Sequence, residues 1–192
     1  LKTLDWPQPL KDFQTNWIGK SVGASVEFPV KGKEDLKIEV FTTRPDTIYG
    51  VSFLNLAPDH DLVAGLTTDA QKEAVEEYQK KTAAKSERDR QANIKDISGV
   101  FTGSYAVHPL TGEEVPIWLA DYVLSGYGTG AVMSVPCGDA RDYNFAKHFD
   151  LPIPNIFKDI DISEEPHLAK ENTYIANSGA FSDLSVEEAT KA

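Results

Sequence analysis

The chain has 192 residues but only one cysteine, Cys137, and one methionine, Met133. A single thiol excludes an internal disulfide and any zinc site built on paired cysteines. Histidine is scarce as well. His60, His108, His148 and His167 stand far apart and none forms an HExxH pair, so a metal site is not expected. No apolar run approaches the roughly 18 residues of a membrane span. The opening Leu1-Lys2-Thr3-Leu4-Asp5-Trp6-Pro7 lacks the charged and apolar regions of a signal peptide, and it lacks an initiator methionine. That favours a piece excised from a longer protein. Basic residues are in deficit, 19 Lys and Arg against 30 Asp and Glu, for a net charge of -11. A domain that grips nucleic acid alone normally shows a basic face. Any phosphate grip must therefore come mostly from elsewhere. The one basic stretch, Lys80, Lys81, Lys85, Arg88, Arg90 and Lys95, is mixed with Glu87 and Asp89. A solvated helix face explains it better than a phosphate contact.

What is present is enough for a core. Hydrophobic residues make up 41% of the chain, with three Trp, nine Phe and seven Tyr, so wholesale disorder is not expected. Val22, Ala24, Val26, Phe28 and Val30 alternate with mostly polar neighbours, as does Leu36 to Phe41. With the turn Lys31 to Asp35 between them, these predict a hairpin. Residues 48 to 57 are apolar enough to predict another strand. Pro58 to Asp61 reads as a helix start. Asp69 to Lys85 has helical composition, with Ala70, Ala74, Val75 and Tyr78 at three-four spacing. Strands are expected over 99–107, 115–124 and 131–135. A helix opens at Asp139 and reaches about Phe149. Short strands near 153–157 and 174–176 and a last helix from Val186 complete the chain. Strands dominate and few helices lie between them. The expected class is a mixed α/β fold with a barrel-like β core and peripheral helices, as one domain over 1–192, rather than a doubly wound sheet.

Two stretches stand out. Thr42-Thr43-Arg44-Pro45-Asp46-Thr47 lies where a strand ends, and loops held on a rigid sheet commonly carry chemistry. Pro45 stiffens it and pushes Arg44 away from helical geometry. Singly, each residue has a plain explanation: threonines at a strand end, Asp46 closing an Asx turn, Arg44 pairing with any carboxylate. The second stretch is Gly126-Tyr127-Gly128-Thr129-Gly130 followed by Ala131 to Val135, then Pro136-Cys137-Gly138 and Asp139-Ala140-Arg141-Asp142. A dinucleotide fingerprint needs a helix after its glycines, and here an apolar strand follows. The glycines instead let the backbone approach another strand or a ligand closely. Asp139 is a good N-cap. Asp142 suits the positive end of a helix dipole, and equally an ammonium group. Cys137 reads as an inert buried thiol. There is neither a P-loop nor a GxSxG elbow.

Taken together, Thr42 to Thr47, the string Tyr127 to Pro136, and Asp139, Arg141 and Asp142 resemble the editing domain of leucyl-tRNA synthetases of bacterial type. The likeness extends to Asn16-Trp17-Ile18-Gly19 and to Val107 through Glu113. Editing domains of the isoleucyl and valyl enzymes share the Thr-Thr-Arg-Pro start, whereas Asp46-Thr47 and Tyr127 to Pro136 point to the leucyl branch. The adenylate-forming signatures of such synthetases are absent. The resemblance implies hydrolysis of the aminoacyl ester of tRNA-Leu mischarged with isoleucine, norvaline or methionine, with Leu-tRNA spared. It implies catalytic roles for Thr42, Thr43, Arg44 and Asp142, with Asp142 holding the substrate α-ammonium. Thr47 would be the steric gate against leucine, Tyr127, Met133 and Val135 the pocket lining, and Asp139 a water-positioning or capping group. No residue is a convincing general base, so positioning must dominate. Some bacterial relatives carry Gly-His where this chain has Cys137-Gly138. The resemblance further implies no cofactor in this domain, ATP and magnesium being used elsewhere in the parent. The implied partners are the 3'-terminal adenosine of tRNA and the rest of a cytoplasmic, monomeric synthetase. The rival from another class is a non-catalytic tRNA-docking module on the same fold.

Overall fold

The computed structural model describes residues 1, 3–86, 96–126 and 128–192. The predicted hairpin forms as β1 (Ala24–Val30) and β2 (Lys33–Thr42), paired antiparallel with Val26 opposite Val40 and Phe28 opposite Ile38. Val22 lies outside it and is exposed. The alternation of buried and exposed residues in both strands marks a sheet with one wet face.

Four more strands complete one sheet: β3 (Phe53–Leu56), β4 (Gly99–Val107), β5 (Glu114–Ala120) and β6 (Ala131–Ser134). Their order across the sheet is β2-β1-β4-β5-β3-β6. β3 runs parallel to β5 and antiparallel to β6, and all four of its residues are buried. A short strand covered on both faces reads as a continuous apolar run, which is how Phe53-Leu54-Asn55-Leu56 reads apart from Asn55. The two edge strands, β2 and β6, pack beside each other, yet no ladder joins them among the described residues. The expectation of a mixed α/β fold with peripheral helices therefore holds, but the sheet is curled and open rather than closed into a barrel.

The strand expected over residues 48–57 needs correcting. Residues Pro45–Gly50 form a 3-10 helix, and β3 begins only at Phe53. Pro45 presets the first helical φ. The Thr42 hydroxyl accepts the Arg44 N–H at 3.0 Å, and the Thr47 N–H donates to the Arg44 carbonyl at 3.1 Å. These local bonds outweigh the β-propensity of Ile48, Tyr49 and Val51. Other boundaries shift less. The strand expected to Leu124 ends at Ala120. The tail strands reduce to single bridges, Phe157 with Ile175 and Tyr174 with Ser185.

The helices lie outside the sheet. α1 (Gln8–Ile18), not anticipated, buries no residue. The helix start expected at Pro58 is a turn, followed by the one-turn α2 (Val63–Leu66). α3 (Lys72–Ala83) buries Val75, Tyr78 and Thr82, while Ala74 faces solvent. In the basic stretch, Lys80 and Lys81 are exposed and Lys85 pairs with Asp121 at 2.8 Å; Arg88, Arg90 and Lys95 lie outside the described residues. α4 (Ala140–His148) drives Phe145 into the sheet, where it stacks on Phe53 at 5.3 Å between centroids. Burying each such ring contributes about 1.5–3 kcal/mol, which clamps α4 over β3. α5 (Val186–Lys191) closes the chain with a Ser185–Glu188 capping box. Among the described residues no helix is long and apolar enough to cross a membrane.

Candidate active site

The seam between the two edge strands opens into a cavity of about 580 Å³. That is within the usual range for small-molecule sites. Thr42 comes from the end of β2, Met133 from β6, Tyr122 from the turn after β5, and Asp139 and Asp142 from the start of α4. Two motifs some ninety residues apart in the chain thus meet because β2 and β6 are the edges of one curled sheet.

Asp139 is the N-cap of α4. Its Oδ1 accepts the Arg141 N–H at 2.8 Å and the Asp142 N–H at 3.1 Å, satisfying two donors that a helix start leaves orphaned. The cap fixes the first turn and so aims Asp142. The Asp142 carboxylate accepts the Val135 N–H at 2.8 Å and the Tyr122 hydroxyl at 2.9 Å. It borders the cavity yet is only 7% exposed. Burial pushes its pKa from 3.8 up to about 7, the neighbouring Asp139 charge adds to the rise, and the hydrogen bonds from Val135 and Tyr122 oppose it. A carboxylate held this way is short of positive charge. An ammonium entering the cavity would supply it.

Behind Asp142 the bonds continue inward. The Asn55 Nδ2 donates to the Tyr122 Oη at 2.7 Å and to the Ser134 Oγ at 3.2 Å. Desolvation, with the Asp142 charge next to it, raises the Tyr122 pKa well above its ordinary value, so the phenol keeps its proton. Neither Asn55 nor Tyr122 was flagged by the sequence. A signal existed for Asn55, an amide inside an otherwise apolar buried strand, since buried polar groups are there to be hydrogen-bonded. For Tyr122 there was none.

The threonine loop divides. Thr42 and Thr43 line the seam cavity. Thr43 also borders a second cavity of about 500 Å³, together with Arg44, Lys170 and α5 residues. Arg44 does not reach the seam cavity wall. Its guanidinium grips the buried Asp46 through Nη2 at 2.7 Å and Nε at 3.0 Å, a forked ion pair that locks the turn. Thr47 is buried and lines neither cavity, its hydroxyl donating to the Arg44 carbonyl at 2.9 Å. Val135 is buried and reaches the site through its N–H rather than its side chain. Tyr127 lies outside the described residues. Cys137 is fully buried and its thiol is pushed up to about 11 by burial, as suits an inert side chain.

Two histidines hold the scaffold. His108 Nδ1 accepts the Leu110 and Thr111 N–H groups, so its Nε2 carries the proton and donates to the Ile48 carbonyl at 2.9 Å. That bond ties the 3-10 helix to the β4–β5 turn. His60 Nδ1 accepts the Leu62 N–H and its Nε2 donates to the Thr129 carbonyl at 3.1 Å, anchoring the glycine loop. At Gly130, with φ +72°, a Cβ would lie 2.9 Å from the His60 ring. Close approach of backbone to a neighbour is thus the use of this glycine.

Comparison with known proteins gives a consistent picture. The sequence model of the leucyl-tRNA synthetase editing domain matches residues 15–192. The chain is 58% identical over 189 residues to a leucine–tRNA ligase of Christiangramia forsetii, covering 98% of this chain and 20% of the relative. It is 57% identical over 195 residues to that of Flavobacterium johnsoniae, covering 99% and 20%. Among solved structures, it resembles a leucyl-tRNA synthetase of Agrobacterium radiobacter in a ternary complex with tRNA and LeuAMS. The TM-score is 0.65 and the identity 38%, over 84% of this chain and 19% of that one. The chain therefore spans about a fifth of the length of the curated relatives it matches.

Proposed function

The chain belongs to the leucyl-tRNA synthetase editing-domain family, and from that premise we propose that it hydrolyses the ester of tRNA-Leu charged with isoleucine, norvaline or methionine and spares Leu-tRNA. The observation that carries the reading is the buried Asp142 carboxylate bordering the seam cavity, whose wall also holds Thr42 and Thr43. An apolar pocket separates side chains differing by one methylene by only about 1–3 kcal/mol, a limit for which aminoacyl-tRNA synthetases are the standard illustration. A second, hydrolytic site is the remedy that such a limit demands.

In this mechanism the α-ammonium of the bound aminoacyl ester sits against Asp142. The opposite charge draws the carboxylate into its ionised form and fixes the ester carbonyl relative to the rim. A water attacks that carbonyl, the bond to the ribose oxygen breaks, and that oxygen takes a proton originating from the water, leaving free amino acid and uncharged tRNA. Thr42, Thr43 and the ribose hydroxyl beside the ester orient the water and receive the developing oxyanion, so rate enhancement comes from positioning and electrostatics. There is no covalent enzyme intermediate. Met133 lines the pocket for the side chain. Thr43 stands between the two cavities, which suits a residue touching both the ester and the terminal adenosine. Thr47 acts as the gate. Its burial and its bond to the Arg44 carbonyl keep its side chain from turning aside. Asp139 acts through the helix turn it caps.

The test is a comparison of two substrates. The full-length protein is incubated with Ile-tRNA-Leu and with Leu-tRNA-Leu, and release of free amino acid is followed. Hydrolysis of the isoleucyl ester alone is the expected result; equal hydrolysis of both, or of neither, refutes the proposal.

A further inference from the structure

Two residues outside the matching motifs, Tyr122 and Asn55, bear directly on the proposed ammonium seat. The Tyr122 hydroxyl lies between two groups. On one side the Asn55 amide donates to its oxygen at 2.7 Å, and on the other it reaches Asp142 Oδ1 at 2.9 Å. The amide N–H on the phenolic oxygen leaves the phenolic proton one good direction, toward the carboxylate. Asn55 is itself held, since it also donates to Ser134 Oγ and sits at 0% exposure in the middle of β3. The direction of hydrogen bonding is therefore set from the core outward, from Asn55 through Tyr122 to Asp142.

We propose that Tyr122, oriented by Asn55, is a positioning residue that holds Asp142 ready as an ionised acceptor for a substrate ammonium. The inference rests on the reading of Asp142 as the ammonium-binding group. Other groups around Asp142 oppose this role or share it. Asp139, on the same helix, repels a second negative charge, and Cys137 is a neutral thiol. Arg141 is exposed and shares the cavity wall, but forms no ion pair with Asp142 among the described residues. The Val135 N–H occupies the other carboxylate oxygen, Oδ2. The Ser134 hydroxyl, on β6, also favours the ionised form of Asp142. Of these neighbours, Tyr122 is the one whose side chain donates straight to Oδ1 from the turn after β5.

A donor to the ionised form lowers a carboxyl's pKa, and Tyr122 does so here against the rise due to burial. Removing the hydroxyl lets Asp142 climb above about 7. The carboxylate would then be protonated over much of the neutral range and would lose its attraction for an ammonium.

The experiment is the pH dependence of single-turnover deacylation of Ile-tRNA-Leu by the full-length protein, comparing wild type with Tyr122→Phe and with Asn55→Ala. The readout is the midpoint of the acid limb, which is independent of the height of the plateau. The substrate's own ammonium titrates identically in each case and cancels. Tyr122→Phe is expected to move the midpoint up by about one pH unit, equivalent to about a five-fold loss near pH 7 that shrinks as pH rises. Asn55→Ala should move it the same way by less, because the hydroxyl is then free to turn from the carboxylate; it carries the test alone if Tyr122→Phe does not fold. A midpoint that stays in place, even with a lower plateau, overturns the inference and leaves the two residues as packing. Asp142→Asn, run alongside, separates the ammonium seat from the role of Tyr122. If that variant deacylates as well as wild type, the ammonium seat itself is wrong. If it is inactive while the midpoints stay fixed, only the role of Tyr122 falls.

Discussion

Replacing Asp142 by asparagine should make the protein more stable in alkaline solution while removing its activity. In the folded state burial raises the Asp142 pKa from 3.8 to about 7. Between those two values the folded chain holds a proton that the unfolded chain has released. Unfolding free energy therefore falls as pH rises across that window and levels off above about 7. Three pH units at about 1.4 kcal/mol each set the loss at about 4 kcal/mol. Asparagine carries no charge at any pH, but its one oxygen replaces only one of the two that accept from the Val135 N–H and the Tyr122 hydroxyl. Its amide N–H needs a partner in the same space, so the expected gain is about 2 to 4 kcal/mol at pH 8 and close to zero near pH 4. Urea unfolding of both proteins at several pH values measures this. Other carboxyls titrate in both chains and largely cancel. If the asparagine protein gains no stability from pH 4 to pH 8 relative to wild type, then Asp142 is not held uphill of its ordinary ionisation. The expected trade of stability against activity is what a site built on a buried charge should show.

Thr47→Ala should open the gate, so that Leu-tRNA-Leu is hydrolysed at a rate approaching that of Ile-tRNA-Leu; measuring both esters checks it, and continued protection of the leucyl ester rejects the gate. Asp139→Ala removes two hydrogen bonds at the start of α4 and should cost about 1 kcal/mol in denaturant unfolding. Deacylation should weaken as well, because the turn that aims Asp142 frays. His108→Ala takes away the bond to Ile48 and the acceptor for two turn amides. A loss of about 2–4 kcal/mol is expected by urea titration, and a loss under 1 kcal/mol would mean that the 3-10 helix is held by other contacts.

Much of the site could be read directly in the chain, and the reasons are local. Asp139 caps α4 where a carboxylate after a Pro-Cys-Gly break should cap a helix, and β6 ends at Ser134 just before Pro136. Thr42, Thr43, Met133, Asp139 and Asp142 do meet at one cavity. What the sequence missed was set by competition or by distance. Ile48 to Val51 has strand propensity, but the Thr42, Arg44 and Thr47 bonds wind it into a 3-10 turn. For Arg44 the plain expectation of pairing with a carboxylate holds, the partner being Asp46 two residues away. The approach of β2 to β6 and the parallel β3–β5 pair both join strands far apart in the chain, which no local pattern specifies. Tyr122 matters through Asn55, 67 residues earlier, and that bond exists only once the sheet has formed.

Everything proposed for this site turns on Asp142 seating the ammonium of a mischarged aminoacyl ester. The most direct test is single-turnover deacylation of Ile-tRNA-Leu by the full-length Asp142→Ala protein, with thermal unfolding recorded on the same sample. Hydrolysis is expected to fall to the spontaneous rate while the folded state persists. Hydrolysis at the wild-type rate in a folded Asp142→Ala protein would contradict it.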